Sequence, residues 1–304
     1  MSERAKSRHR KVKTGFIIRT AAMLMLLGGL ALLFIMPIAL TITNSLMSQT
    51  EIAANYGKIF TSLTGDRTYV SDKVQLKLIP DIISFSQYLT AFVKTPDYLL
   101  KFWNSVILVV PIMVFQIIIA LAAAYCFARF DSKLRSIIFF SYIILMLMPY
   151  QVTLVPNYIV AGWFNIRDTR WSIILPGIFS PFAVFILARF MRRIPSSVYE
   201  AAKLDGCGEW QIFTKICIPL CRGVIYSVAI LVFIDYWNMV EQPLVLLGDD
   251  ALHPLSVFLS KINASDAGVA FAVAAVYMIP PLLVFLYSED YLIEGVAYSG
   301  SIKG

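Results

Sequence analysis

Glu200-Ala201-Ala202-Lys203-Leu204-Asp205-Gly206 is a polar stretch that lies between two long apolar segments, and Pro219 follows its last residue by thirteen positions. A helix needs about 20 apolar residues to cross the roughly 30 Å hydrocarbon core of a membrane. The apolar segments on both sides of this stretch approach or exceed that length. The sequence therefore predicts that residues 200–206 lie in a loop on one side of a membrane.

The composition of the whole chain also indicates a membrane protein. Of its 304 residues, 59% are hydrophobic and only 15% are charged, and the mean hydropathy is +0.73. A soluble domain carries about 25% charged residues. We therefore predict an all-α polytopic membrane protein whose spans contact lipid. The basic N-terminal residues are interpreted as an orientation signal beside the first span, so no nucleic-acid partner is expected.

Six segments are predicted to cross the membrane. They are Thr20–Leu40, Phe102–Ala128, Ser136–Ile166, Trp171–Ala188, Gly223–Leu247 and Ala267–Ser288. The third segment is too long for one straight crossing. We expect Pro149 and Pro156 to kink it or to end it, because proline removes a backbone hydrogen-bond donor. The fifth segment is interrupted by Asp235 and Glu241.

The placement of lysine and arginine predicts the orientation of these spans. Seventeen of these residues lie in the N-terminal arm, in loops 128–135 and 189–222, and in the C-terminal tail. The opposite side holds three outside the long loop 41–101, which adds six more. Long loops cross membranes largely regardless of their charge. Both termini are therefore predicted to be cytoplasmic.

This topology divides the chain into four parts. They are a cytoplasmic basic arm (1–19), a first transmembrane helix (20–40), an extracytoplasmic loop (41–101) and a core domain (102–304) with five transmembrane helices and the cytoplasmic loop 194–222.

The first half of loop 194–222 is predicted to be a short helix that begins after Pro195. Gly206 ends this helix, because glycine readily adopts a left-handed conformation. The paired alanines, Ala201 and Ala202, keep one side of the helix slim, so another protein can approach it closely. Glu200 adds a charge that can anchor such a contact.

The second half of the loop is predicted to form another one or two helical turns. Residues 209–215 supply these turns, and Trp210, Phe213 and Ile216 recur on one apolar face at i, i+3 and i+6. Pro219 marks the turn into the next span. The whole loop is therefore predicted to be a helical hairpin that lies along the cytoplasmic surface.

The spacing of these residues resembles a loop found in a family of transporters. The pattern is E-A-A-x-x-x-G, then nine residues, then Ile216-x-Ile218-Pro219, and the preceding Arg192-Arg193-Ile194-Pro195 also matches. It is similar to the loop by which permeases of carbohydrate ABC importers of the maltose type engage their ATPase. The likeness extends from about residue 100 to the C-terminus. The chain departs from the family pattern at Cys207, where alanine is frequent, and at Cys221-Arg222-Gly223, which replaces a frequent proline.

The resemblance implies a type I ABC importer permease fold in the bacterial cytoplasmic membrane, with a docking element for the ATPase. The residues implied for this docking element are Glu200, Ala201, Ala202, Asp205, Gly206 and Pro219. The implied partners are a second homologous permease, two ATP-binding subunits and an extracytoplasmic solute-binding protein. The implied cargo is a sugar or oligosaccharide.

No catalytic, cofactor-binding or metal-binding residue is expected in this chain. The sequence contains no G-x-x-x-x-G-K-[ST] pattern, which is the usual phosphate-binding loop. ATP and Mg²⁺ are therefore expected in the partner ATPase. The two histidines, His9 and His253, are predicted to lie on opposite sides of the membrane, where they cannot converge on one metal ion.

Three polar residues near the fifth span are candidates for the translocation path. Asp235, Asn238 and Gln242 recur at i, i+3 and i+7, which places them on one stripe of a helix. Such a stripe can line a path for a hydroxyl-rich solute, because charged residues in spans rarely face lipid. It can equally form a hydrogen-bonded cluster between helices. The sequence leaves both interpretations open.

Two other functions fit parts of the sequence. An ion-coupled secondary transporter is an alternative, because such proteins use intramembrane carboxylates like Asp235 and Glu241. A membrane-embedded transferase is another, with Asp249-Asp250 as its paired carboxylates. Uptake that follows an ion gradient and ignores ATP depletion favours the first alternative, and turnover by the isolated chain favours the second.

Overall fold

The apolar segments of the sequence form helices wherever the chain is described. The computed structural model describes residues 3–64, 76–261 and 267–300, with side chains at 19–56, 76–261 and 267–289. In chain order the helices are α1 (Glu3–Ser45), α2 (Gln49–Thr64), α3 (Ser86–Leu89), α4 (Asp97–Arg129), α5 (Lys133–Met146), α6 (Tyr150–Trp163), α7 (Trp171–Gly177), α8 (Pro181–Met191), α9 (Ser196–Leu204), α10 (Glu209–Ile212), α11 (Ile218–Leu220), α12 (Arg222–Trp237), α13 (Glu241–Leu246), α14 (Leu255–Ser260), α15 (Ala267–Tyr277) and α16 (Ile279–Gly300). Turns of π-helix occupy Thr90–Lys94 and Phe213–Cys217, and Asp250–Leu252 is a 3₁₀ turn.

The chain folds as two units. The first comprises residues 1–94 and 263–275, and the second comprises residues 95–262 and 276–304. In the first unit, Met47, Ile52 and Tyr56 are buried together with Ala267. The apolar window of α1 has no buried residue. An apolar surface of this kind is suited to contact with lipid or with another membrane helix.

The helix boundaries differ from the predicted division of the N-terminal part. The predicted basic arm and first transmembrane helix are both parts of α1, which continues to Ser45. The predicted loop 41–101 contains α2, α3 and the first turn of α4. The charged arm did not interrupt the helix, because lysine and arginine are good helix formers.

The described helices include four to six candidate spans, where six were predicted. Four segments are long and apolar enough to cross a membrane, namely Arg19–Ser45, Asp97–Arg129, Trp171–Met191 and Ala267–Glu289. Two further candidates are bent pairs, in which α5 and α6 meet at 106° and the segment Glu209–Leu220 meets α12 at 74°. Counting each bent pair as one span gives six.

Two of the predicted spans contain helix breaks at positions that differ from the predicted ones. Pro149 precedes α6 and separates it from α5, whereas Pro156 lies inside α6 and does not end it. The run Gly223–Leu247 is not one helix, because α12 ends at Trp237 and α13 begins at Glu241.

The core of the second unit is built where small residues let helices approach closely. Ala120 and Ala124 of α4 are buried in one cluster with Ala183 and Ala188 of α8. Small side chains at helix contacts bring backbones together in membrane proteins. Residues of α12 and of loop 194–222 belong to the same cluster. The loop is therefore fixed to the helices that form the membrane domain.

Candidate functional site

The first helix of the coupling loop (residues 194–222) ends in a Schellman arrangement. The N–H of Gly206 donates to the carbonyl of Lys203 at 3.0 Å, and the N–H of Cys207 donates to the carbonyl of Ala202 at 3.0 Å. This pair of bonds uses a left-handed residue after the helix. Gly206 has φ = 81°. The prediction that Gly206 ends the helix is confirmed.

The two faces of α9 have different surroundings. Tyr199 and Ala202 are buried in the core cluster of the second unit. Glu200, Ala201 and Leu204 are exposed, and Leu204 is 89% exposed. Residues three and four positions apart share a helix face. Glu200, Ala201 and Leu204 therefore form one outward face.

The predicted slim side made of two alanines is wrong, because consecutive helical residues point about 100° apart. Ala201 lies on the outward face, whereas Ala202 packs inward. We define the docking edge as Glu200, Ala201, Leu204, Asp205 and Gly206, all of which are exposed. Of the other predicted docking residues, Ala202 lies in the core, and Pro219 is exposed within α11.

The second half of the coupling loop departs from the predicted helical register. Phe213 is buried and Ile216 is partly buried, but Trp210 is 73% exposed. The residues from Phe213 to Cys217 form a turn of π-helix. A π-turn contains an additional residue, so the spacing i, i+3, i+6 no longer marks one face. Ile212 and Cys217 lie in the core instead.

Leu204 and Trp210 are large apolar side chains that the loop leaves exposed. The sequence pattern predicted that Trp210 shares an apolar face with Phe213 and Ile216, and it did not include Leu204 among the docking residues. The signal that identifies Leu204 is its position four residues after Glu200, which puts both on the outward face of α9. Contiguous exposed apolar patches with a polar rim mark protein-contact sites, whereas single exposed apolar side chains are common on protein surfaces.

Glu209 connects the coupling loop to the end of α4. Its Oε2 accepts a hydrogen bond from the hydroxyl of Tyr125 at 2.7 Å. Its Oε1 lies 2.7 Å from Nζ of Lys203 in α9. The hydrogen bonds from Lys203 and Tyr125 lower the pKa of Glu209 below its usual value, mainly through Lys203. The carboxylate is therefore held in its charged form between three helices.

A cavity of about 550 Å³ lies at the end of α12. Its polar lining residues are Tyr150, Gln151, Asp235, Tyr236, Asn238, Glu241 and Gln242. Ligand cavities generally have volumes of about 300–1,000 Å³. No lysine, arginine or histidine is among the residues that line this cavity in the described part of the chain. The cavity thus presents amides, hydroxyls and carboxylates.

The three predicted path residues line this cavity, although they do not form a stripe on one helix. Asp235 lies in α12, Asn238 follows its end, and Gln242 lies in α13. The predicted helical stripe is therefore wrong. The break between Trp237 and Glu241 nevertheless turns all three residues to the same space.

The hydrogen bonds at the cavity are compatible with both interpretations that the sequence left open. Asn238 accepts a hydrogen bond from the hydroxyl of Tyr277 at 3.0 Å, so it takes part in an interhelical contact. Glu241 accepts from Nε2 of Gln151 at 3.3 Å. Asp235 is exposed and lines the cavity. The residues thus serve both as helix contacts and as cavity lining.

A second cavity of about 470 Å³ shares Tyr150, Tyr236 and Gln242 with the first. Its remaining polar lining includes Thr153 and Asn157 of α6. The hydroxyl of Tyr236 donates to the carbonyl of Gly177 at 3.3 Å. The two cavities therefore adjoin at residues from α6, α12 and α13.

Comparison with known proteins identifies the family. Residues 83–298 match the family described as "Binding-protein-dependent transport system inner membrane component". The chain belongs to this family. Its members are transport components of the inner membrane, so this permease is not an enzyme. The two alternative functions considered from the sequence do not fit this family.

Individual relatives of the permease cover most of the chain. It is 28% identical over 272 residues to the arabinooligosaccharides transport system permease protein AraQ of Bacillus subtilis, covering 88% of this chain and 96% of AraQ. It is 32% identical over 215 residues to the diacetylchitobiose uptake system permease protein NgcG of Streptomyces coelicolor, covering 68% of this chain and 70% of NgcG.

A solved structure shows the same fold. One chain of a bacterial ABC transporter involved in the import of the acidic polysaccharide alginate superposes with a TM-score of 0.72 at 22% identity, covering 90% of this permease and 96% of that chain. The predicted all-α fold of the type I ABC importer permeases is confirmed. The orientation of the termini and the docking role of the coupling loop stay predictions.

Proposed function

We propose that this permease carries a sugar or oligosaccharide across the membrane for an ATP-driven, binding-protein-dependent importer. It acts with a second homologous permease, two ATP-binding subunits and an extracytoplasmic solute-binding protein. ATP and Mg²⁺ bind to the ATP-binding subunits. The family assignment supports the binding-protein-dependent system, and the names of AraQ and NgcG support an oligosaccharide cargo.

The single observation that carries the coupling role is the docking edge. A leucine that is 89% exposed in a polar loop makes few contacts within its own chain. Leu204 lies on the same face as Glu200, so the edge offers an apolar group beside a charge. A cleft on an ATP-binding subunit is the partner that this short helix fits.

The coupling loop is also suited to transmit movement. Ala202, Ile212, Phe213 and Cys217 of the loop are buried in one cluster with Leu187 of α8. Packed interiors change by switching between discrete arrangements rather than by gradual deformation. Closure of the ATP-binding subunits therefore moves the loop and the attached helices together, which opens the solute path to one side of the membrane at a time.

The polar cavity supports a hydroxyl-rich cargo. Tyr150 and Tyr236 offer aromatic surface for the apolar face of a sugar ring, and Gln151, Asn238 and Gln242 offer amides for its hydroxyls. Asp235 and Glu241 add carboxylates without any lysine or arginine in the same lining. This lining disfavours an acidic saccharide, because its carboxylates would repel those of the cargo.

The coupling role is tested by Leu204→Ala in the assembled importer. We expect the amount of ATP-binding subunit that co-purifies with the permease to fall about tenfold, because loss of an apolar anchor at an interface weakens binding by about 1–2 kcal/mol. Sugar uptake into membrane vesicles is expected to fall in parallel. The quantity of permease in the membrane is expected to stay unchanged, because Leu204 is exposed.

Leu134→Ala is the matched control, because Leu134 is exposed in the other predicted cytoplasmic loop. This control is expected to retain the ATP-binding subunit and uptake. Equal retention of the ATP-binding subunit by Leu204→Ala and the control contradicts the docking role. Wild-type uptake that persists after ATP depletion contradicts the proposed function as a whole.

A further inference from the structure

Three helical segments of the permease meet at one carboxylate. Glu209 begins α10, Lys203 lies in α9, and Tyr125 and Arg129 lie in the last turns of α4. The side chain of Tyr125 is buried, whereas those of Glu209 and Lys203 are 38% and 49% exposed. Glu209 is therefore a direct polar link between the coupling loop and α4, a predicted span.

The present partners of Glu209 are well defined. Oε2 accepts the hydroxyl hydrogen of Tyr125 at 2.7 Å, and Oε1 pairs with Nζ of Lys203 at 2.7 Å. Hydrogen bonds to a charged group are shorter and stronger than those between neutral groups. Because Lys203 belongs to the loop itself, the bond to Tyr125 is the one that ties this carboxylate to α4.

A second donor lies close to the same carboxylate oxygen. Nε of Arg129 is 4.0 Å from Oε2 of Glu209, which is too far for a hydrogen bond. Nε is buried and has no hydrogen-bond partner among the described residues. The guanidinium carbon of Arg129 lies 4.8 Å from the ring centre of Tyr199 in α9. This donor is thus buried beside Tyr199 and makes no hydrogen bond within the described part of the chain.

We propose that Glu209 is the positioning residue that transmits movement of the coupling loop to α4, and that its carboxylate exchanges Tyr125 for Arg129 when the loop moves. A displacement of about 1 Å brings Nε of Arg129 within hydrogen-bond distance of Oε2. A buried donor without a partner is unfavourable, so the displaced state gains this bond as it loses the one to Tyr125. The two arrangements form a two-state element. This inference rests on the proposed function, because it assumes that an ATPase drives the loop.

Opposite substitutions test the exchange in the purified importer with its ATP-binding subunits. Tyr125→Phe removes the bond of the described state, and Arg129→Gln removes the donor of the alternative state. We measure the rate of ATP hydrolysis in the absence of the solute-binding protein. We expect the two variants to shift this rate in opposite directions, each by about two- to tenfold, because each variant removes one hydrogen bond from one state only. Arg129→Lys restores a charged donor and is expected to return hydrolysis towards the wild-type rate.

Two further variants serve as controls. Tyr142→Phe removes a hydroxyl from α5 beside Phe127 of α4 but away from Glu209, and Asp131→Asn removes an exposed acidic charge from the predicted cytoplasmic loop 128–135. Both are expected to keep the wild-type rate of ATP hydrolysis.

Glu209→Gln tests the carboxylate itself. In this variant the amount of sugar taken up per ATP hydrolysed is expected to fall about tenfold, while the co-purified ATP-binding subunit is retained.

The outcomes separate this inference from the proposed function. Shifts of Tyr125→Phe and Arg129→Gln in the same direction, or no shift in either, overturn the exchange of partners. If Arg129→Gln does not assemble, Arg129→Lys and Tyr125→Phe are compared with the wild type instead. Identical rates of ATP hydrolysis in all three proteins overturn the exchange of partners. Failure of the wild-type assembly to hydrolyse ATP or to take up sugar contradicts the proposed function instead.

Discussion

The coupling loop and the polar cavity both form where a helix stops, but the two helices stop for different reasons. At the end of α9, Gly206 adopts a positive φ and its N–H satisfies a helix carbonyl. At the end of α12, the carbonyl of Trp237 accepts a hydrogen bond from the hydroxyl of Tyr277. The first helix end is set by a local residue, and the second is set by a side chain forty positions away.

The loop and the cavity therefore differ in how far their shape depends on the rest of the permease. The coupling loop keeps its turn through a residue within the turn itself, so its docking edge is formed locally. The cavity depends on contacts between distant segments, which include Trp237, Tyr277 and Asn238. A movement of the helices is therefore expected to reshape the cavity while the turn at Gly206 is kept.

The largest expected effect distinguishes two tryptophans. Trp237 is 1% exposed and its indole N–H donates to the carbonyl of Tyr277, whereas Trp210 is 73% exposed. We expect Trp237→Ala to lower the free energy of unfolding by about 3–5 kcal/mol, because it leaves a large cavity in a packed core. Trp210→Ala is expected to change it by less than about 0.5 kcal/mol. Thermal unfolding of the purified permease measures both.

Equal midpoints of unfolding for these two variants contradict the described burial of Trp237. Trp210→Ala is also measured for retention of the ATP-binding subunit. If less ATP-binding subunit co-purifies with this variant, the docking surface extends beyond the docking edge. If the amount is unchanged, the docking surface is limited to the residues of α9 and its turn.

An intermediate effect is expected at one of two glycines of the coupling loop. Neither Gly206 nor Gly208 has a heavy atom near the position of an added Cβ, but only Gly206 has positive φ. Gly206→Ala is therefore strained by about 1–2 kcal/mol, and we expect the affinity for the ATP-binding subunit to fall about five- to thirtyfold. Gly208→Ala is the matched control and is expected to keep the wild-type affinity.

Titration of detergent-solubilised permease with the ATP-binding subunit measures these affinities. Equal affinities for the two alanine variants mean that the turn at Gly206 is not needed for docking. In that case the shape of the loop depends on packing, as the shape of the cavity does.

The smallest effect is expected at Asp235. Asp235→Asn keeps the size of the side chain and removes one of the two carboxylates that line the cavity. We expect the KM of sugar uptake to change about two- to tenfold, as for one hydrogen bond, with unchanged unfolding and unchanged retention of the ATP-binding subunit. Uptake by vesicles at several sugar concentrations measures the KM.

Asn238→Ala is the informative comparison for Asp235→Asn. Asn238 both lines the cavity and accepts from Tyr277, so its replacement is expected to reduce stability as well as uptake. A change in stability in both variants, without a change in KM in either, favours the hydrogen-bonded cluster over the translocation path.

Much of the fold follows from the sequence because hydrophobic length and charge placement are local properties. The six spans and the turn at Gly206 were predicted in this way. The inward position of Ala202 and the outward position of Trp210 were not predicted. The π-turn over Phe213–Cys217 changes the helical register of the second half of the coupling loop. The residue types in that turn do not predict it. The polar link from Glu209 to Tyr125 was also missed, because the two residues are 84 positions apart.

Membrane crossing, the resemblance to a transport permease and the position of the turn in the coupling loop all follow from the amino-acid sequence. These properties depend on runs of apolar residues and on one glycine whose backbone freedom is intrinsic. Only the tertiary structure decided which loop residues face outward and that Asp235, Asn238 and Gln242 share a cavity across a helix break. Those features depend on packing and on hydrogen bonds between distant residues, which the periodicity of one segment does not contain.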